Sequence, residues 1–255
     1  MRYALTLIFL LIYSTCFGWS SNPPHSFKAN VATGGGTISL NATAYASNLD
    51  VALLFAEGAG TNVENYADAT NDGTINGTIW SLGGITVDAS GEGVSLDLPT
   101  IGTTGTVMIL FTSTSTSGSS ASEYARLYSA STSDFEMTRN ASDTSLKVNV
   151  DEGTAQTVPD LWDTTEKCIV VAWNTNIDKD TKKIYVDGTL EATDTTLMDY
   201  TYITSTELYI GSTDTFDRPA MVEISQYMLW TDEKSASDAA ALCTTPGSMF
   251  NNYPW

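Results

Sequence analysis

A chain of 255 residues with 42% hydrophobic content can build one sizeable β-sandwich core or two small domains, and is too apolar for a disordered polymer. Its formal net charge of −19, from 30 Asp and Glu against 11 Lys and Arg, argues against nucleic acid, because phosphate binding needs clustered cations and the sequence shows no such run. The same balance argues against anionic membrane surfaces and suits a soluble extracellular protein whose self-repulsion is screened by salt.

Residues 1–18 read as a secretory signal. Arg2 is the positive n-region, residues 4–13 form an apolar stretch too short to span a bilayer comfortably, and Cys16 and Gly18 are the small residues before a cut after Gly18. A cut after Ser20 is nearly as good. A lipoprotein reading would acylate Cys16, but Tyr13 stands where such signals want Leu. Removal of the signal leaves Cys168 and Cys243, an even count for an oxidising compartment, and predicts a disulfide between them. Two buried free thiols are the alternative.

Residues 19–48 form an N-terminal extension with strand character at 27–31 and 37–45, interrupted by Gly34-Gly35-Gly36. Residues 49–60, LDVALLFAEGAG, read as a buried strand ending in a Gly-rich turn. A short strand is predicted at 74–79, before Trp80, and another at 94–98. The run TVMILFT at 106–112 is apolar without alternation, the mark of a strand buried on both faces. Residues 112–122 are a Ser/Thr/Gly-rich loop. Three short strands follow at 124–130, 135–139 and 145–150, in the rhythm of a meander. The loop at 158–167 carries Trp162, and CIVVAW at 168–173 is a core strand.

Residues 182–186 and 189–192 flank Asp187-Gly188, a strong hairpin signal because a type I′ turn needs positive φ at both central positions. Strands are predicted again at 208–211 and, with alternating polarity, at 220–230. Residues 235–242 are the one helix expected, with a capping box at Ser235 and Asp238 and a stop at Pro246-Gly247.

Several of these pieces resemble, in order, the laminin-G-like, concanavalin A-like jelly-roll domains. They are the opening strand with Glu57, Gly58 and Gly60, the turn from Asp68 through Asp72 and Gly73 to Thr74, and Trp80 after it. IYVDG at 184–188, LYIG at 208–211, the strand at 220–230 and the closing helix complete the set. The likeness covers roughly residues 49–243. Ala56 stands where Asp is usual, Lys167-Cys168 replaces a Trp-His pair, and Ala220 takes a Gly position. The resemblance implies an all-β, two-sheet antiparallel jelly-roll sandwich with one short C-terminal helix. The chain then divides into a signal at 1–18, the extension at 19–48 and a jelly-roll domain at 49–255.

Glucanases of this fold need two carboxylates on one strand at alternating positions, so that both face the cleft. Asp134-Phe135-Glu136 lacks the third acid, adjacent Asp151-Glu152 point to opposite faces, and both pairs read as solvated loop charges. The single histidine, His25, lies in the extension, which leaves no Ser-His-Asp arrangement in the domain. Gly34-Gly35-Gly36 lacks the Lys of a phosphate loop. The expectation is a chain without catalytic activity.

The resemblance implies a calcium ion near the rim, since such sandwiches hold one with turn carboxylates and carbonyls. The candidate ligands are Asp68, Asp72 and Glu223. Sugar binding needs an exposed aromatic face with polar groups around it. Trp162, in the polar loop PDLWDTT, and Tyr66, beside the Asp68 turn, are the candidates. For Trp162 the alternative is an aromatic cap on the sandwich, whereas Trp80, Trp173 and Trp230 read as core. Asn41, Asn76 and Asn140 begin N-glycosylation sequons.

Two functions stay open at this level. One is a secreted carbohydrate-binding or adhesion module whose partner is a glycan or an extracellular protein. The other is a subunit of an extracellular filament, coat or appendage, assembled by adding the N-terminal extension to a neighbour's sheet edge.

Overall fold

A sheet that buries one face needs side chains of alternating character, and one buried on both faces needs an unbroken apolar run. Both patterns are realised here. The computed structural model describes residues 39–40, 45–81, 83–114, 125–131, 135–139, 145–150, 156–158, 161, 163–175, 181–195, 205–245 and 249–251.

The strands begin with β1 (Ser39–Leu40), β2 (Leu49–Leu53), β3 (Asn62–Val63), β4 (Gly73–Asn76), β5 (Ile79–Trp80) and β6 (Ile85–Val87). Next come β7 (Gly93–Asp97), β8 (Thr104–Ser113), β9 (Ala125–Ala130), β10 (Phe135–Arg139), β11 (Leu146–Val150) and β12 (Gln156–Val158). The last are β13 (Glu166–Asn174), β14 (Thr181–Val186), β15 (Thr189–Asp194), β16 (Glu207–Ile210), β17 (Val222–Trp230) and β18 (Phe250–Asn251). The helix α1 (Ala236–Thr244) lies between β17 and β18.

Sheet I has the order β12-β11-β10-β9-β16-β7-β4-β3. Sheet II runs β15-β14-β13-β8-β17-β6-β5, and β17 also pairs with β2 beyond the end of β6. Pairing in both sheets is antiparallel. Together they form a jelly-roll-like β-sandwich, as expected from the sequence.

The rows of side chains explain the layers. Across sheet I, Val148, Met137, Tyr128, Ile210, Val94 and Ile75 stand in register and face the core. One residue along, Asn149, Glu136, Ser129, Tyr209, Ser95, Thr74 and Asn62 form the opposite row, which is almost wholly polar. Sheet II is different. Its inner row packs on sheet I, and its outer row of Tyr185, Val170, Met108, Met228 and Ala52 is apolar too. That second face is covered by α1, Met249 and Phe250. The unbroken apolar run of β8 is therefore a consequence of two coverings, one by a sheet and one by a helix.

Local chemistry holds these coverings in place. Ser235 and Asp238 close a capping box at the start of α1, and Ala239 and Leu242 turn inward. The Cys168–Cys243 disulfide ties α1 to β13, with Cα atoms 5.5 Å apart. At the β14–β15 hairpin, Asp187 and Gly188 have φ of 49° and 80°, the pair of positive values that a type I′ turn requires. Between the sheets, the fully buried Lys182 of β14 donates to the carbonyl of Val148 in β11 at 3.2 Å, and its ammonium lies 3.8 Å from Asp194.

Three sequence expectations change. The single strand at 74–79 is two: the chain turns at Asn76-Gly77, so that β4 belongs to sheet I and β5 to sheet II. Trp80 is half-buried at the edge of the core and donates Nε1–H to the carbonyl of Gly60 at 2.9 Å. Trp173 and Trp230 are fully buried, as expected. Glu136 is not a solvated loop charge, because it lies in β10 and forms an ion pair with Arg126 of β9. The signal at 1–18, the strand at 27–31, Gly34-Gly35-Gly36, His25, Asp134, and Asp151-Glu152 lie outside the described residues. Of the extension, β1 and residues 45–48 are described, and β1 pairs with β18 of the same chain.

Candidate functional site

The polar outer row of sheet I is organised by Tyr209 and by the segment that follows its strand. Residues 211–220 leave β16 at Gly211 and return where the amide of Ala220 donates to the carbonyl of Gly211 at 2.8 Å. The loop folds back over the sheet. The ring of Phe216 meets that of Tyr209 edge-on, with centroids 5.6 Å apart. It also lies over Gly93, where a Cβ would come within 2.8 Å of the ring, so glycine is required for this close approach. The carbonyl of Phe216 accepts from the amide of Gly91, and that of Arg218 accepts from the amide of Arg126. Tyr209 donates its hydroxyl to Glu207. Burial, then that bond and the nearby carboxylates Glu207 and Asp214, push the Tyr209 phenol up to about 12.

Two shallow polar cavities of about 190 Å³ each open on the outer face, one on either side of this aromatic pair. The first is lined by Thr70, Asn71, Asp72, Thr74, Asp97 and Glu207 among others. Asn71 shapes it. Its amide donates to the carbonyl of Asp97 at 2.9 Å and accepts from the amide of Asp97 at 3.0 Å, which fastens the turn to β7. The second cavity is lined by Arg126, Ser129, Ser131, Thr213, Asp217 and Arg218, and by the exposed Asp214 and Thr215. Burial above all, and then the charge of Arg218, lower the pKa of Arg126, while Asp214 and Asp217 oppose this. Thr213 donates its hydroxyl to Asp217 at 2.7 Å, and the Thr213 and Thr215 hydroxyls hold that carboxyl below its usual range.

The residues singled out in the sequence fall elsewhere for the most part. Asp72 lines the first cavity, and its carboxylate accepts from the amide of Asn65 at 3.0 Å. Asp68 is exposed on the same turn and accepts from both the amide and the hydroxyl of Thr70. Glu223 is on β17 of the other sheet, in register with Thr86 and Thr112, so the structure does not gather the three as one ligand set. Among the described residues no group of three or more His, Cys, Asp or Glu is placed to hold a metal ion. Tyr66 is no exposed platform either. It packs into the second apolar cluster, edge-on to Phe250 at 5.8 Å. Asn76 is half-buried, its amide donating to the carbonyl of Thr74 at 3.3 Å. Trp162, Asn41 and Asn140 lie outside the described residues.

Sequence reasoning passed over Arg126, Arg218, Phe216 and Glu207. It found no cluster of cations because Arg126 and Arg218 are far apart along the chain, and only the fold brings them together. One signal was available: the chain has four arginines, and one of them stands in the turn-rich TDTFDRP between two predicted strands.

No protein-family profile matches the chain, and no curated protein sequence matches it. Solved structures do. A Trypanosoma rangeli sialidase in complex with sialic acid superposes with a TM-score of 0.62 at 12% identity, over 80% of this chain and 34% of that one. The receptor binding domain of botulinum neurotoxin type G superposes with a TM-score of 0.58 at 9% identity, over 78% of this chain and 52% of that one. The chain thus spans about a third of the sialidase and half of the toxin domain. At such identities the likeness establishes the fold, an antiparallel β-sandwich of the kind these proteins contain. The expectation of a chain without catalytic activity is corrected on this ground: similar structures include enzymes, so the fold gives no reason to exclude catalysis. Among the described residues no helix is long and apolar enough to cross a membrane, and the disulfide is consistent with an extracellular protein.

Proposed function

We propose that this is a secreted or cell-surface carbohydrate-binding or adhesion module of the laminin-G-like class, with its glycan site on the outer face of sheet I. The observation that carries the reading is the pair of polar cavities on either side of Tyr209 and Phe216. Sugars are recognised by an apolar ring face combined with fixed donors and acceptors. Here Phe216 offers a half-buried ring, and Asn71, Asp72, Thr74, Asp97 and Glu207 offer the polar groups. The similar structures support a glycan or receptor partner in general terms, since one carries sialic acid and another is a receptor binding domain. The filament reading has less support, because β1 pairs with β18 of its own chain rather than lying free for a neighbour.

A glycan array with the wild type, Phe216→Ala and Glu207→Gln tests the proposal. Binding of a defined glycan class is expected, at least tenfold weaker in both variants, with thermal melts close to the wild type. No glycan bound by the wild type, or full binding by both variants, would count against it. Repeating the array with a chelator separates a glycan site that works without calcium from one that needs it.

A further inference from the structure

The second cavity is built differently from the first. In a chain with four arginines and a net charge of −19, two of the arginines line one cavity of about 190 Å³. Like charges repel, and the fold holds Arg126 and Arg218 together although Arg126 is nine-tenths buried. Arg126 has capacity to spare. Its Nη1 reaches Glu136 and the hydroxyl of Ser129, while its buried Nε has no hydrogen-bond partner among the described residues. The two carboxylates at the cavity are accounted for in part, since Asp217 already accepts from the Thr213 hydroxyl. Serine and threonine hydroxyls complete the lining.

Guanidinium groups grip carboxylates through two parallel N–H···O bonds, and an unpartnered buried N–H is costly until something accepts from it. Around the guanidinium pair stand hydroxyls and carboxylates suited to a sugar's ring hydroxyls. Position matters as well. Ser129 of this cavity pairs with Tyr209, which pairs in turn with Ser95 of the first, so the two cavities lie two strands apart, about 10 Å at the ordinary spacing of about 4.8 Å. That is the reach of a short oligosaccharide.

The geometry points to a saccharide carrying a carboxylate, such as a uronic acid, with the carboxylate seated on Arg126 and Arg218 and the next sugar along lying in the cavity of Asn71 and Glu207. This inference rests on the carbohydrate-binding reading and narrows its ligand class.

The test is equilibrium titration of the full chain with methyl glucuronide, the methyl ester of that glucuronide, methyl glucoside and acetate. The glucuronide is expected to bind at least tenfold tighter than either the ester or the glucoside, and acetate to compete poorly. In Arg218→Gln, a change at a half-exposed side chain, the difference disappears while glucoside binding stays. Arg126→Lys keeps the charge beside Glu136 but loses the planar fork, and is expected to weaken the glucuronide selectively. Equal binding of glucuronide and glucoside, or a preference that survives Arg218→Gln, would overturn the inference and leave the carbohydrate reading standing. Acetate competing as well as the glucuronide would reduce the cavity to a simple anion site. Failure of every sugar to bind would sink the carbohydrate reading and this inference with it.

Discussion

Asn65 is fully buried between β3 and the turn at 68–72. Its Oδ1 accepts from the amides of Ala52 at 2.9 Å and Ala67 at 3.1 Å, and its Nδ2 donates to the carbonyl of Asp50 at 3.3 Å. Its own amide donates to Asp72, which lines the first cavity. Asn65→Ala strands two amides and a carbonyl, at a cost of about 2–4 kcal/mol. Denaturant melts should show that loss, and a change under about 0.5 kcal/mol would mean that water replaces the amide. In the sequence Asn65 is one Asn among many in a polar stretch. Its role depends on which backbone groups the fold leaves without a ladder partner, and residue types do not carry that information. The same is true of Arg126 and Arg218. By contrast, the Asp187-Gly188 turn and the Ser235–Asp238 capping box were legible, because their chemistry is complete within four residues.

At the scale of elements, many strands were legible from apolar runs, alternation and turn spacing, whereas the short β3, β6, β12 and β18 were not, and residues 74–79 are instructive. Residues 74–79 read as one strand, but β4 and β5 pair in different sheets, and the crossing between layers is decided by partners far along the chain. Register also explains Glu166. At the start of β13 it pairs with Thr112, which pairs in turn with Glu223. Burial, with the charges of Asp187 and Glu223 added, raises the Glu166 carboxyl from 4.5 to about 7. The folded state therefore keeps a proton that the unfolded chain releases from about pH 4.5 upward. Stability from this group is present below that pH and is lost as the pH rises through about 7. Glu166→Gln removes the dependence. Thermal melts at pH 5 and pH 8 should show the variant gaining on the wild type at the higher pH. A constant offset between the two proteins would show that Glu166 titrates as an ordinary carboxylate.

For the whole molecule the governing quantity is the charge of −19. Repulsion among so many carboxylates opposes the compact state. Raising NaCl from about 10 mM to about 1 M shortens the screening length from about 30 Å to about 3 Å. The melting temperature is expected to rise by several degrees across that range, by differential scanning calorimetry. A flat or falling curve would mean that ion pairs such as Lys183–Glu233 outweigh the net repulsion.

The Cys168–Cys243 bond has a mechanical consequence. Ser39 faces Asn251 in the β1–β18 ladder, so tension applied from the chain on either side opens that pair like a zip, one rung at a time. The load then passes to β2 and α1. The bridge closes a covalent loop with a sequence separation of 75, a segment worth roughly 250 Å of extended chain, and tension cannot draw that segment out. Tension between the two ends of the chain would open its edges first and leave β13 to β17, the segment that carries Tyr209 and Phe216, inside a closed loop that the pull cannot extend.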